Sequence, residues 1–421
     1  MNWRKKSAES WGRLGMKFDD NSLYNIKSSL DGKRYSLFDL ATWKNGLAFK
    51  KIHFSETGVP VIKIAELNNG IGGTTAYTQQ VFSEDVHLIK GDLLFSWSGN
   101  PQTSIDVFRF NLEEGWLNQH IFKVTPDEKV IDRNYFYFLM KNLKPHFTQI
   151  ATNKQTTGLG HVTIADIKRM SVIVPSLPVQ KEIVSYIKPI DDKIELNNDI
   201  NNNLLEQVLA LYRNKFVNTP NTNRKTCRAD EYFDISIGKT PPRKEPQWFS
   251  TNPQDVTWVS ISDMGTCGLY ISNSSEQLTK EAVDRYNVKV VPDNTVLLSF
   301  KLTVGRIAIT NGEMATNEAI AHFKTDKKEI NEYLYCYLKC FNYQTMGSTS
   351  SIATAVNSKI IKGMPFVVPT DDELIEFHSI TAPMFAKIKE SQIENENLTV
   401  LRDTLLPKLM SGELDVSDID L

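Results

Sequence analysis

Apolar and polar residues along this chain follow two patterns that alternate twice. Short runs of β-type composition, Val59–Ile64, Asp92–Trp97, Val256–Ile261, Val296–Phe300 and Arg306–Thr310, stand between clusters of Gly, Asn, Asp and Pro. Such punctuation predicts strands joined by turns. Each half is also expected to hold one helix, opened by Asp132 or Asn134 in the first half and by Asn331 in the second. Strands with segregated helices predict α+β domains. About 40 residues with steps of three and four then follow in each half. In the first, Ile183, Ile187, Ile190 and Ile194 lead through Asn197 and Asn201 to Leu204, Val208 and Leu211. In the second, the apolar positions are Phe377, Met384, Ile388, Leu398, Leu405 and Leu409. This spacing predicts a coiled-coil seam. At 1.5 Å per residue each rod would be roughly 60 Å long and could not bury its stripe alone. Two such rods in units joined end to end should pair antiparallel. The polar seam positions Asn197 and Asn201 either fix register or are tolerated interruptions.

The chain repeats itself. Val172–Pro175 and Phe366–Pro369 are separated by 194 positions (369 less 175), and the same separation relates Val162 to Val356, Ile167 to Ile361 and Met170 to Met364. Upstream, Tyr135 matches Tyr333 at 198, Asn118 matches Asn317 at 199, and Phe38-Asp39 matches Phe233-Asp234 at 195. A tandem duplication of a unit of about 195 residues accounts for these matches. The expected organisation is an N-terminal segment (1–35) with no partner in the repeat, a first mixed domain (36–175) and a first helix (176–217). A polar linker (218–230), a second domain (231–369), a second helix (370–412) and an acidic tail (413–421) follow. The expected fold is therefore α+β: two tandem-duplicated α+β domains joined by two long antiparallel coiled-coil helices.

Composition narrows the function. With 41% apolar and 23% charged residues and a net charge of −2, the chain is not disordered. The apolar run at 170–179 is broken by Pro175 and Pro178, so no membrane span is expected. No apolar core follows Arg4, Lys5 and Lys6, so no signal peptide is expected, and the expected location is cytoplasmic. The four cysteines form no CxxC and the seven histidines no HxxxH or HxH, so reduced thiols and no metal are expected. No GxxxxGK[ST], no GxSxG and no amino-methyltransferase motif is present, and Gly70–Gly73 reads as a turn. No catalytic residue and no cofactor of the chain's own is expected. A nuclease using Asp293 and Asp326 is the enzymatic alternative, and it predicts magnesium-dependent cutting. Residues 371–421 hold 12 acidic and 4 basic residues, a net of −8, which leaves +6 on residues 1–370. A basic balance on the domains is compatible with a nucleic-acid face.

Val172–Pro175, Pro178–Ile183 (PVQKEI) and Leu406–Leu414 (LPKLMSGEL), together with the half-length duplication, resemble the specificity subunits of type I restriction–modification systems. The resemblance covers about 36–412. One departure is that Gln180 has no clean counterpart after Pro369, where Asp371-Asp-Glu373 stands. The resemblance implies a non-catalytic subunit whose two target-recognition domains each read half of a gapped, asymmetric target in double-stranded DNA. Its helices set the gap and dock two modification subunits, which bind S-adenosylmethionine and methylate adenine N6, and two restriction (motor/nuclease) subunits complete the complex. Two readers on one rod favour half-sites about 34–36 Å, or a multiple, apart.

Base edges call for amides and guanidinium groups, phosphates for Lys, Ser and Thr. The candidates in the first domain are Lys50, Lys51, His53, Ser98, Asn100, Lys154, Gln155 and Thr157. In the second they are Lys239, Arg243, Lys244, Lys301, Arg306, Ser348, Thr349 and Ser350. The resemblance places a DNA-facing loop near Lys154 and near Ser348. Trp97 and Phe300 end equivalent strands and read as core rather than stacking platforms. The competing interpretation is a protein-binding assembly scaffold that never recognises DNA.

Overall fold

The computed structural model describes residues 19–155, 158–219, 221–346 and 356–414. Its contacts divide the chain into two units, Met1–Ile194 with Asn397–Leu421, and Glu195–Glu396. Thr157, Ser348, Thr349, Ser350 and residues 415–421 of the acidic tail lie outside the described residues.

The first unit carries a four-stranded sheet in the order Ala41–Asn45, Ile121–Pro126, Leu93–Ser96, Asp106–Arg109. A second sheet has the order Tyr77–Thr78, Val59–Ile62, Glu114–Leu117, His87–Ile89. The second unit repeats this plan. Asp234–Ile237, Ile320–Lys324, Val296–Ser299 and Ile307–Thr310 stand in the same order, with Tyr270–Ile271 added at the edge. Its other sheet is built on Val256–Val259 beside Met314–Thr316. The apolar runs at 59–64 and 256–261 end early as strands because Lys63 and Ser260 open short helices. There the Glu66 and Asp263 carboxylates accept the Lys63 and Ser260 backbone N–H groups. Asp132 caps the helix Arg133–Asn142 by accepting the N–H groups of Asn134 and Tyr135. Asn331 is not a cap. It is the first residue of the helix Asn331–Cys340, entered from a 3-10 turn, and its side chain donates to the Asn294 carbonyl.

Strand register dates the repeat more finely than residue identity does. Arg34 pairs with Ile173 and Thr226 with Val367, so the first strand is offset by 192 (226 less 34) while its partner is offset by 194. Trp43 opposite Val124 and Ile235 opposite Phe323 repeat the 192. Phe38-Asp39 therefore corresponds to Asp230-Glu231, and the match with Phe233-Asp234 is displaced by three residues. Phe233 is buried in the core at the place held by Ala41.

The long helices are Leu177–Tyr212, continued to Val217 by one π turn, and Asp371–Ser411. Within the first unit, Ile183 and Ile187 share a core with Leu406, Leu409 and Met410. Within the second, Leu205, Val208, Leu209 and Tyr212 share one with Phe377, Phe385 and Ile388. Partner numbers fall as the chain rises, so the pairing is antiparallel. Ile194 is buried, whereas Ile190, Leu204, Met384, Leu398 and Leu405 are half-buried. Leu211 is a correction to the predicted seam, since it is 37% exposed. This end of the first helix packs on the second domain as well as on the second helix, which turns the buried face toward Leu205, Leu209 and Tyr212. Asn197 is buried and donates to Asn395 Oδ1 at 2.9 Å and Glu394 Oε2 at 2.7 Å, and Asn395 donates to Asn198 Oδ1 at 3.1 Å. This polar layer favours register over tolerance, since a helix slip would strand its amides.

The segment before the first domain has a structural role. Leu23 and Tyr24 are buried in the first core, and the Ile26 N–H donates to the Ser171 carbonyl. Ser29 donates to the carbonyls of Ser411 and Gly412, and the Ser28 hydroxyl to that of Met410. These residues satisfy carbonyls at the end of the second long helix. The linker does the same for the first: Arg224 donates to the carbonyls of Lys215, Phe216 and Thr219 while its guanidinium grips Glu373. Residues 26–29 of the N-terminal segment thus do have a counterpart, in the linker.

Arg224 beside Glu373 holds the Glu373 carboxyl down to about 2. A depressed carboxylate contributes stability that is present above about pH 4.5 and lost as pH falls toward 2. Thermal unfolding followed from pH 7 to pH 3 should show this loss. Glu373→Gln should already be about 2 kcal/mol less stable at pH 7 and show a shallower acid decline.

Candidate nucleic-acid interface

In the first unit Phe122 pairs with Asn45, Ile121 with Ser96, and Ser96 with Asp106. Three loops therefore leave one end of the sheet, after Asn45, after Ser96 and before Ile121. The short strand Gly160–His161 joins this end by pairing with Ser98 and Gly99. The second unit has the same end, with Ile237 opposite Ala321, Ser299 opposite Ile320, and the Ser299 N–H bonded to the Arg306 carbonyl. Lys50, Lys51, His53, Ser98, Asn100, Lys154 and Gln155 all lie on segments that leave or enter that end in the first unit. Lys239, Arg243, Lys244, Lys301 and Arg306 do so in the second.

These side chains differ in what they have left to offer. Lys154 pairs with the buried Asp166 at 2.5 Å. The Arg306 guanidinium donates to the Ile261 carbonyl at 2.5 Å. Arg243 donates to both oxygens of Glu276 at 2.9 Å and lies over the rings of Phe249 and Trp258. His53 accepts the Lys50 N–H and packs against Phe49 and Phe82. Ser98 is buried, and Asn100 Oδ1 accepts the N–H groups of Gln102 and Thr103, which leaves its amino group. Gln155 is exposed. Lys50, Lys51, Lys239, Lys244 and Lys301 are exposed and, among the described residues, make no ion pair. Charges free of internal partners are the ones that can neutralise phosphates.

The structure adds residues that sequence reasoning missed, Asn45, His120 and His161, and brings Trp97, read there as core, to the same end. Trp97 Nε1 donates to Asn45 Oδ1 at 3.0 Å, and the rings of His120 and His161 lie 5.2 and 5.9 Å from the Trp97 ring. Trp97 is half-buried at this end, whereas Phe300 is 1% exposed, so the two strand-end aromatics part company. His120 has a φ of 76°, and burial together with neighbouring His161 pushes its imidazole below the ordinary value. No spacing in the sequence announces a histidine in left-handed backbone.

Asp293 accepts the Gly312 N–H and lies 3.6 Å from Lys389. Among the described residues no three His, Cys, Asp or Glu side chains group as a metal site. The four cysteines are free thiols, and burial pushes that of Cys336 well up.

Residues 31–206 and 222–398 each match the family described as type I restriction modification DNA specificity domain. The chain belongs to that family. Its two specificity domains make up most of its length, and the curated relatives are of the same kind. The HindI specificity subunit of Haemophilus influenzae is 22% identical over 404 residues, which covers 77% of this chain and 87% of that protein. The MjaIX specificity subunit of Methanocaldococcus jannaschii is 24% identical over 329 residues, 72% of this chain and 73% of its own. Among solved structures, the S subunit of the M. genitalium type I restriction–modification system aligns over 94% of this chain and 98% of that one. Identity there is 16% and the TM-score 0.49.

Proposed function

We propose that this chain gives a type I restriction–modification complex its sequence specificity, each domain reading one half of a bipartite, gapped, asymmetric DNA target. The observation that carries it is one sheet end built twice with different chemistry. By strand register, Asn45, Trp97 and His120 of the first domain correspond to Ile237, Phe300 and Ala319 of the second. Lys239 and Lys301 stand beside the latter set. Equal frames carrying unequal groups read unequal sequences. The long helices set the gap and dock two modification subunits. Those subunits bind S-adenosylmethionine and methylate adenine N6, while the present chain supplies no catalytic residue. Restriction subunits complete the complex in the cytoplasm. None of the described helices is long and apolar enough to cross a membrane.

Mapping N6-methyladenine in the source genome, with and without this gene, tests the proposal. The expected outcome is the disappearance of one gapped, asymmetric motif on deletion and its return on complementation. An unchanged methylation map, with the partner methyltransferase expressed, would favour a protein-binding scaffold.

A further inference from the structure

The third residue beyond Ser96 and the third beyond Ser299 lie in the equivalent loops of the two domains, and both have positive φ: 129° at Gly99, which pairs with Gly160, and 59° at Leu302. Glycine adopts such backbone freely, whereas leucine is strained there. The second domain nevertheless holds a leucine, and that leucine is 99% exposed. Its conformation is imposed by a braced loop. The Ser299 hydroxyl donates to the Thr303 carbonyl and accepts the Arg306 N–H, and the N–H groups of Thr303 and Gly305 donate to the carbonyls of Lys301 and Ser299. Within its own chain the side chain therefore gives nothing back for strain and exposure combined.

Its neighbours indicate the occupant. Lys301 precedes it, and Lys239 and Lys244 leave the same sheet end; all three are exposed and, among the described residues, without a carboxylate partner. An apolar tip on a sheet end that also carries uncompensated cations fits a polyanion with an apolar interior, as a DNA duplex is.

We infer that Leu302 is a specificity-determining contact of the second domain, its side chain buried against a base of the half-site that this domain reads. The inference rests on the DNA-reading function proposed above. It gives the second domain a side-chain contact that the first cannot make at Gly99, where an added Cβ would meet Ser104.

The test compares Leu302→Gly and Leu302→Met with the wild type in the assembled methyltransferase complex. Binding is measured on a duplex carrying the whole target and on one with the second half-site scrambled. Leu302→Gly should weaken binding to the whole target about five- to fifty-fold while binding the scrambled duplex as the wild type does. Leu302→Met, still apolar, should stay within about threefold. Because glycine suits the backbone, the melting temperature of Leu302→Gly should equal or exceed that of the wild type, which separates lost contact from lost folding. Whole-target binding by Leu302→Gly within twofold of the wild type would overturn the inference. So would loss of complex assembly, which would assign Leu302 to a protein contact. A wild-type complex that fails to distinguish whole from scrambled target would instead sink the DNA-reading function itself.

Discussion

Asp106→Ala should destabilise the first domain by about 4 kcal/mol, lowering the first transition in urea or thermal unfolding and abolishing methylation at growth temperature. Asp106 opens a sheet strand and is 3% exposed. One of its oxygens receives the Lys141 ammonium at 3.0 Å and the other the Lys144 ammonium at 2.7 Å. Lys144 is itself 6% exposed. Removing the carboxylate leaves the buried Lys144 ammonium without its counter-charge, and an uncompensated buried charge costs more than the intact pair contributes. Asp106→Asn should be nearly as severe, because an amide keeps the shape and loses the charge. A second change, Lys144→Met, should recover part of the loss by removing the more buried of the two cations. Additive losses in the double variant would refute this account, since independent sites add and members of one network do not. The second core contains none of these residues, so its unfolding transition should stay in place.

The long helices are legible in the sequence because apolar residues recurring every three and four positions suit a paired helix and little else. The face they bury is legible only in part. Leu211 keeps the three-four step yet meets solvent, because this end of the helix also packs on the second domain and Tyr212 takes the inward place. The loops of the end proposed to face DNA are legible from their Gly, Asn and Lys clusters. Which of those side chains are already committed is not. Lys154 is claimed by a carboxylate 12 residues on and Arg306 by a carbonyl 45 residues back, partners that composition and periodicity do not point to. The N-terminal segment hides its role for the same reason, since Ser29 bonds to Ser411 and Gly412. Gln180, singled out as lacking a counterpart, is fully buried. It accepts the Asp132 N–H at 2.7 Å and donates to the carbonyls of Val130 and Pro175.

That tie through Gln180 bears on the second large effect, expected when residues 32–175 are replaced by the corresponding domain of a relative with a different target. The methylated motif should change in one half and keep its other half and its gap. The exchange must begin before Gly32, because Gly32–Ser36 pairs with Ser171–Pro175 over all five residues, and a cut at 36 would separate the two strands. The joint at the helix should tolerate a foreign domain because Gln180 holds main-chain atoms, which any sequence with the same backbone supplies. The Ile26 and Ser171 contact is likewise backbone to backbone. Side-chain ties are the exceptions: the Tyr24 hydroxyl donates to the Asp166 carboxylate, and Ile183, Ile187, Leu406 and Leu409 share the domain's apolar core, so the donor must keep Asp166 and that core face. The Arg109 guanidinium reaches Asp191 at 3.2 Å, although Arg402 remains to pair with Asp191 if the incoming domain lacks it. Each mismatched base pair costs about 1–3 kcal/mol, so two altered positions at about 2 kcal/mol each shift preference roughly a thousandfold. Methylation mapping would therefore read an all-or-none switch. A motif changed in both halves would show that the domains do not read independently, and an unchanged motif would show that the exchanged domain does not read DNA.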